Sequence, residues 1–585
     1  MKRLWKYAVG VALIAVVALA VALPAAGAKT TKSHKSGKCF PTTMSSKAWS
    51  FGVMDDTQWT VADPAGTNPN SVSKSIIDQI DPQFIGAGVK FVIQVGDLTD
   101  NGGSPGIATR AAAAQPLLNA GIGFFPMRGN HETYAGTSEY GGTFNNFAIP
   151  AFQAAFPQTR GLNSTFGAKN FSSPTSVSSD LNGMSYSFDY GTPGNNARFV
   201  IIDNWATPSK DVSAAGYDYG YSIADQQNWI SSRLNENTRG TTQAFVFSHQ
   251  PLIAENHQDS PFTGYTYANL DMQNAFLASL QNNDVKYYIC GHDHINQRSI
   301  IKSPDGKSQV QEIIGASDSS KFYTPKSVTD AGWVDPVTKV NQKTRETSVT
   351  QDPYRVGYYI YTVDGPRVTV DYYADKSGSY PNGFPGNTCP TFNFVKVATW
   401  GYSLNGKEFV IGGGTTNGTN NSASYAAVQD SFQGTSAKIL SGTYDNAVTD
   451  LSGRTVAQAV DTGWSCDTRW DGLNSNILTL WGMAPVGKTM TDTYTLSMSS
   501  DTGYGWHHGF AGFGVLAAKN ASGQWVKAVD LNTGGGVARF VIGPYQPQDT
   551  LNTYGFDPST HTAWAVINYT GSFAVDGGLD LVWNN

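Results

Sequence analysis

From Trp49 onward, short apolar runs alternate with amphipathic stretches. WSFGVMD, KFVIQVGD, GFFPMRGNH, ARFVIIDNW, TQAFVFSHQ and VKYYICGHDH are rich in β-branched and aromatic residues, end in turn-forming or charged residues, and predict strands. Between them, SVSKSIIDQI, with Ile76, Ile77 and Ile80 at helical spacing, and ATRAAAAQPLLNAG, ending on Gly121, predict helices with one face turned inward. SIADQQNWISSRL predicts a third, opened by Ser222 three residues before Asp225 at the spacing of a capping box. This alternation predicts an α/β fold in which helices cover a sheet. YRVGYYIYTVDGPRVTVDYYAD predicts a hairpin turning at Asp364-Gly365 that closes the region.

After NGFPGNTCP the pattern changes. NILTLWGM, DTYTLSMS, ARFVIGPY, TAWAVINY and LDLVWNN follow one another with no helical period between them, which predicts a separate all-β sandwich over 392–585. At the other end, Lys2, Arg3 and Lys6 precede an apolar run from Ala8 to Leu23 and the small residues Ala26-Gly27-Ala28. This is the pattern of a secretory signal peptide over 1–28, and its apolar run is shorter than the roughly 20 residues of a spanning helix. Residues 29–46, rich in Lys, Ser and Thr, read as a flexible lead-in, leaving 47–391 for the α/β domain. The protein is thus expected outside the cytoplasm, secreted, periplasmic or at the cell surface.

Composition narrows the partners. The 585 residues carry a net charge of −6, only 14% are charged, and no basic block follows the N-terminal segment. Nothing offers the phosphate-tracking surface that a nucleic-acid polymer requires. Export makes the four cysteines candidates for disulfides, with three pairings open. Cys39 with Cys389, which flank the α/β domain, is the preferred pair; Cys290 at the end of VKYYIC reads as a buried thiol, and Cys466 has no evident partner.

The chemistry gathers at strand ends. VMDDTQ supplies Asp56 and Gln58, VIQVGDLTD supplies Asp97, MRGNHE supplies Asn130 and His131, FVFSHQP supplies His249, and YYICGHDH supplies His292 and His294. Ligands of open α/β sheets collect at the carboxyl edge of the strands, where loops converge on a rigid support. The mixture of carboxylate, amide and imidazole suits Mn, Fe or Zn, and there are more ligands than one tetrahedral site accepts. They suffice for two ions sharing a carboxylate, the clamp used for displacement at phosphorus.

This series, D-x-[H/Q], G-D-x-x-D, G-N-H-E, a later lone His and G-H-x-H, resembles the calcineurin-like metallophosphoesterase superfamily over roughly residues 47–390. The resemblance implies a β-sandwich core flanked by helices. It also implies one metal on Asp56, Gln58, Asp97 and His294, and a second on Asp97, Asn130, His249 and His292, with Asp97 bridging. His131 would bind no metal but meet the substrate's phosphoryl or leaving oxygen while a metal-bridged hydroxide attacks. Two departures qualify it: Asp100 stands where purple acid phosphatases have Tyr, and Gln58 replaces the usual His, offering a neutral oxygen instead.

Around this core, Asp55 reads as an acceptor for a ligating group or as a polar strand end, and Arg128 as a phosphate contact or a surface salt bridge. His257 reads as loop. The Gly-, Asn- and aromatic-rich segment between Glu132 and Gln243 reads as a lid that selects substrate. Trp464, Trp470, Trp481, Trp506, Trp525, Trp564 and Trp583 of the C-terminal region read mainly as core, with glycan or cell-surface contact as the functional alternative; His507 and His508 read as a turn. The expectation is a secreted metal-dependent phosphatase or phosphodiesterase acting on a small phosphate ester. An inactive or glycan-binding surface protein on the same fold is the alternative.

Overall fold

The computed structural model describes residues 47–133, 148–204, 223–262, 270–335, 338–404, 514–534 and 536–576, with short pieces between 424 and 499. The signal peptide, the lead-in, Ser222, Cys39, Cys466, Trp470, Trp506, His507, His508 and Trp583 lie outside the described residues. Among those described, no helix is long and apolar enough to cross a membrane, and Cys290 and Cys389 are free. Cys290 is buried, as expected.

Among the described residues, fourteen strands build the first region: β1 (Trp49–Met54), β2 (Phe91–Gln94), β3 (Gly123–Pro126), β4 (Lys169–Ser172), β5 (Tyr186–Thr192), β6 (Asn195–Ile202), β7 (Gln243–Ser248), β8 (Tyr287–Cys290), β9 (Ile295–Lys302), β10 (Gln309–Ile314), β11 (Glu346–Pro353), β12 (Gly357–Asp364), β13 (Arg367–Asp375) and β14 (Phe394–Ser403). One sheet runs β14-β13-β12-β1-β2-β3 and the other β11-β9-β10-β8-β7-β6-β5-β4. β1, β2 and β3 are parallel, as are β6, β7, β8 and β10. The sheets face each other, Phe51 and Phe91 meeting Phe199 and Phe245, with the Phe51 and Phe199 rings edge to face at 5.0 Å. Such an aromatic pair contributes ~1 kcal/mol beyond its burial.

The outer faces are covered too. Val92 and Phe124 lie under Ile76, Ile77 and Phe84 of α1 (Lys74–Ala87) and Ile107 of α2 (Ser104–Ala113), which α3 (Gln115–Asn119) follows. After α4 (Ile149–Ala155), Val200 and Val246 lie under Ile230 of α5 (Ile223–Leu234) and Phe276 of α6 (Leu270–Asn282). Burial on both faces is why the central strands read as continuous apolar runs. Pro116, lacking an N–H, lies in the first turn of α3 and divides the expected second helix into α2 and α3.

The hairpin forms as expected, with Asp364 opposite Arg367. Beyond it β14 pairs antiparallel with β13, so the first sheet runs on to Ser403, past the change of pattern at 392. The segment read as a lid, in which only ARFVIIDNW was expected to be a strand, also supplies β4 and β5 to the second sheet. Further on, two antiparallel-rich sheets enclose a core that includes Leu478, Leu496, Leu516, Phe556 and Phe573. Trp564 is buried there, its Nε1 donating to Gly543 O at 2.7 Å. Trp525 is half-buried.

Asp81 of α1 is buried and its carboxyl oxygens lack hydrogen-bond partners. Burial pushes it up to about 7 against the pull of Arg110. Between its ordinary value near 3.8 and about 7, the folded chain holds a proton that the unfolded chain has lost, so this group's contribution declines as pH rises through that window. Asp81→Asn should therefore stabilise the protein at pH 8, by up to about 4 kcal/mol, and have little effect near pH 4. Melting temperatures of both chains across pH 4–8 measure it; a difference independent of pH would refute the assignment.

Candidate metal centre

The carboxyl ends of β1, β2 and β3 in one sheet and of β7 and β8 in the other deliver the sequence-predicted residues to one buried place. Asp97, His249 and His292 each offer a ligand atom, all within 4.8 Å of one another, and so do Asp56, Asp97 and His294. Asp97 belongs to both groups. Asn130 Oδ1 is 3.1 Å from His249 Nε2, and Asp97 Oδ1 is 3.3 Å from the same nitrogen.

Backbone geometry shows why these motifs contain glycine. A Cβ on Gly96, itself at φ +89°, would fall 2.2 Å from His249 Nδ1, and one on Gly129 would fall 2.0 Å from Asp97 Oδ1. Asp97, His292 and His294 have φ of 44°, 74° and 53°. Such left-handed conformations cost of order 1–3 kcal/mol each and are held by their surroundings.

The imidazoles are oriented from behind. His249 Nδ1–H donates to Val95 O at 2.7 Å and His294 Nδ1–H to Lys321 O at 2.8 Å, which leaves Nε2 of each for the centre. His292 is turned the other way, its Nε2–H donating to Asp259 Oδ1 at 3.2 Å, so the nitrogen it offers is Nδ1. Asp56 accepts from His292 N, at 3.1 Å to Oδ2.

Charge is concentrated here in a buried place. Burial, followed by Asp97 among other charges, raises the Asp56 carboxyl to about 8. Burial also opposes ionisation of Asp97, yet His249 and His131 outweigh it and hold Asp97 far below the carboxylate range. Burial disfavours a charged His249, but Asp97 and Asp56 raise it to about 10. His294 is depressed by burial and then by Lys321. A cation bound between these side chains would replace the imidazolium proton as partner of the carboxylates.

Gln58 is fully buried at the edge of the centre. Its Nε2 lies 3.1 Å from His131 Nε2, and its Oε1 has no hydrogen-bond partner. A buried carbonyl oxygen without a donor is costly unless something electropositive meets it. The donor set and this oxygen together fit two borderline-to-hard cations.

His131 belongs to neither group. Its Nδ1–H donates to Asp100 O at 2.6 Å, with Asp100 Oδ1 at 3.3 Å, and its Nε2 is 3.8 Å from Asp97 Oδ2. Asp100 thus does a job that its comparison with Tyr gave no hint of: it orients His131. Glu132 ties the same loops together, accepting from Gly129 N at 2.8 Å and Thr99 N at 3.2 Å.

Two sequence readings change, and one of the two alternatives for Asp55 drops out. Arg128 is neither a phosphate contact nor a surface ion pair: its guanidinium makes a bidentate, fully buried pair with Asp203, at 2.7 and 3.0 Å. His257 is no bystander, because its ring stacks on His292 with centroids 3.9 Å apart and its Nδ1 pairs with Asp293 Oδ1 at 2.7 Å. Asp55 accepts from no ligating group; its amide donates to Asp318 Oδ2 at 3.0 Å, and burial raises its carboxyl well above the usual range. The sequence reading also missed Tyr323, whose ring meets His257 at 4.7 Å and His294 at 5.3 Å, and Asp259. Only proximity in the chain to His249 marked Asp259, and nothing in the sequence marked Tyr323.

Comparison with known proteins agrees with the motif reading. The calcineurin-like phosphoesterase family model matches residues 71–296. No curated protein matches. Solved structures similar to the chain include a dimetal phosphatase from Danio rerio (15% identity, 55% of this chain and 95% of that one, TM-score 0.33). Others are GAP50, the anchor in the inner membrane complex of Plasmodium (14%, 61% and 89%, 0.32), and the purple acid phosphatase PPD1 from yellow lupin (14%, 60% and 58%, 0.34).

Proposed function

Since residues 71–296 of this chain carry a calcineurin-like phosphoesterase region, we propose that the protein is a secreted two-metal hydrolase of small phosphate mono- or diesters. The observation that carries this reading is the pair of donor groups that share Asp97. In it Asp56, Gln58, Asp97 and His294 would hold one ion, and Asp97, Asn130, His249 and His292 the other, and the chemistry of the donors suits Mn, Fe or Zn. When bound, such ions supply Lewis-acid charge for displacement at phosphorus and activate water near neutral pH.

The chain's residues do the rest. Asp97 ties the two halves together. Gln58 has an oxygen without a hydrogen-bond partner, which would be its donor to an ion held with Asp56 and His294. Asp100 fixes Nδ1 of His131 as a donor, which leaves Nε2, when the ring is the imidazolium, to give its proton to a phosphoryl or leaving oxygen. Export is supported by the charged, apolar and small-residue order of the first 28 residues.

Metal-stripped protein beginning at Lys29 should hydrolyse nitrophenyl phosphate mono- or diesters only after Mn or Fe is restored, and the ratio of the two rates names the subclass. Absence of turnover with every metal, although two ions are bound, would overturn the enzymatic reading.

A further inference from the structure

Of the three imidazoles in the two donor groups, His249 and His294 lean on backbone carbonyls, whereas His292 gives its N–H to a carboxylate. Asp259 is itself in neither group. Its second oxygen receives Gln250 Nε2 at 2.5 Å, Gln250 Oε1 receives the Asn204 amide, and Asn204 Oδ1 accepts from Ser248 Oγ at 3.3 Å. Gln250 is fixed again through its carbonyl, which accepts from Tyr288 OH at 2.7 Å. Every donor in the series points toward Asp259, which is 2% exposed, with Gln250 at 1% and Asn204 at 8%. With a hydrogen bond at each oxygen, the carboxylate cannot turn away from His292.

We propose that Asp259, locked by Gln250 and Asn204, is a positioning residue that sets how tightly the His249–His292 half of the centre holds its cation, while the Asp56–His294 half is independent of it. A backbone carbonyl orients an imidazole, but a carboxylate also raises its basicity, and loss of such a partner typically weakens metal binding 10–100-fold. The two halves are therefore built unequal, with the tighter ion on His249 and His292. The inference rests on the metal-centre reading above.

The test is a titration of the metal-stripped chain with Mn(II) alone, the free ion being followed by its paramagnetic resonance signal. Wild type should show two binding steps. Asp259→Ala should weaken one of them about 10–100-fold and leave the other in place, and Gln250→Ala should weaken the same step less. Asp259→Asn, which keeps an acceptor and loses the charge, should fall between wild type and Asp259→Ala. Saturating Mn(II) should restore much of the lost turnover, which a merely structural defect would not allow. Two tight steps unchanged in Asp259→Ala, or both weakened together with a lower melting temperature of the metal-free chain, overturn this inference alone. A wild type that binds no Mn(II) overturns the metal-centre reading itself.

Discussion

Asp97→Asn should lower turnover by on the order of 10³ or more, about 4 kcal/mol of transition-state stabilisation, and leave at most one ion bound. The substitution conserves shape, so the fold around β2 should persist, but the metal-free chain loses the carboxylate that faces the buried His249 imidazolium and should melt at a lower temperature than wild type. What changes is the donor inventory. Asp97 is the one residue common to both groups, and its Oδ1 already faces His249 Nε2 at 3.3 Å and accepts from His131 N at 3.1 Å. Asparagine has one oxygen instead of two and no charge, so it cannot serve both halves, and its NH₂ must face either an imidazole nitrogen or the neighbouring ion. Metal stoichiometry and nitrophenyl phosphate turnover, measured together, check both parts. Two bound ions and wild-type rates in Asp97→Asn would remove Asp97, and the shared-carboxylate reading, from the account.

Much of the core was legible because it is buried on both faces. ARFVIIDNW and TQAFVFSHQ could be recognised as strands from their continuous apolar character, which covering helices and a facing sheet require. Residues at strand ends were legible for the same reason, since each follows such a run at once. Strands β9 and β11 were not: INQRSIIK and ETSVTQDP are interrupted by polar residues, and Gln297 Nε2 and Ser299 Oγ donate across the two strands to Ser348 Oγ and Glu346 Oε1. No apolar period announces strands stabilised in that way. β14 was misread for another reason. Its FVKVATWGYS continues the β-rich grammar of the C-terminal region, whereas its register, with Trp400 opposite Val370, belongs to the first sheet. Support behind the centre was invisible because it depends on tertiary placement: nothing local in ENHQDS distinguishes His257 and Asp259 from a surface loop. Arg128 shows the converse, a residue whose motif invited a functional role while its partner Asp203 lay at the end of a strand 75 positions away.

His131→Ala should lower kcat by about 10²–10⁴ while both ions stay bound, and the size of the loss should depend on the leaving group. The residue lies outside both donor groups, so removing it takes no ligand away. Its Nδ1–H is committed to Asp100 O at 2.6 Å, and this fixes the ring with Nε2 turned toward Gln58 Nε2 at 3.1 Å and Asp97 Oδ2 at 3.8 Å, at the rim of the centre. With Nδ1–H held by Asp100, only the imidazolium carries a second proton, on Nε2; in that form the ring can bind a phosphoryl oxygen, protonate a departing one, or do both, and the two roles separate kinetically. Nitrophenolate leaves without needing a proton, whereas an alkoxide does not, so a proton-donating His131 makes an alkyl phosphate suffer far more than a nitrophenyl ester from the substitution. If the ring only held the phosphoryl group, both substrates would lose the same factor and KM would rise with the fall in kcat. Asp100→Asn adds a discriminating comparison: it keeps the backbone carbonyl that receives Nδ1–H and removes only the carboxylate at 3.3 Å, so a loss there close to that of His131→Ala would place the charge of Asp100, and not the orientation it gives, at the root of the effect.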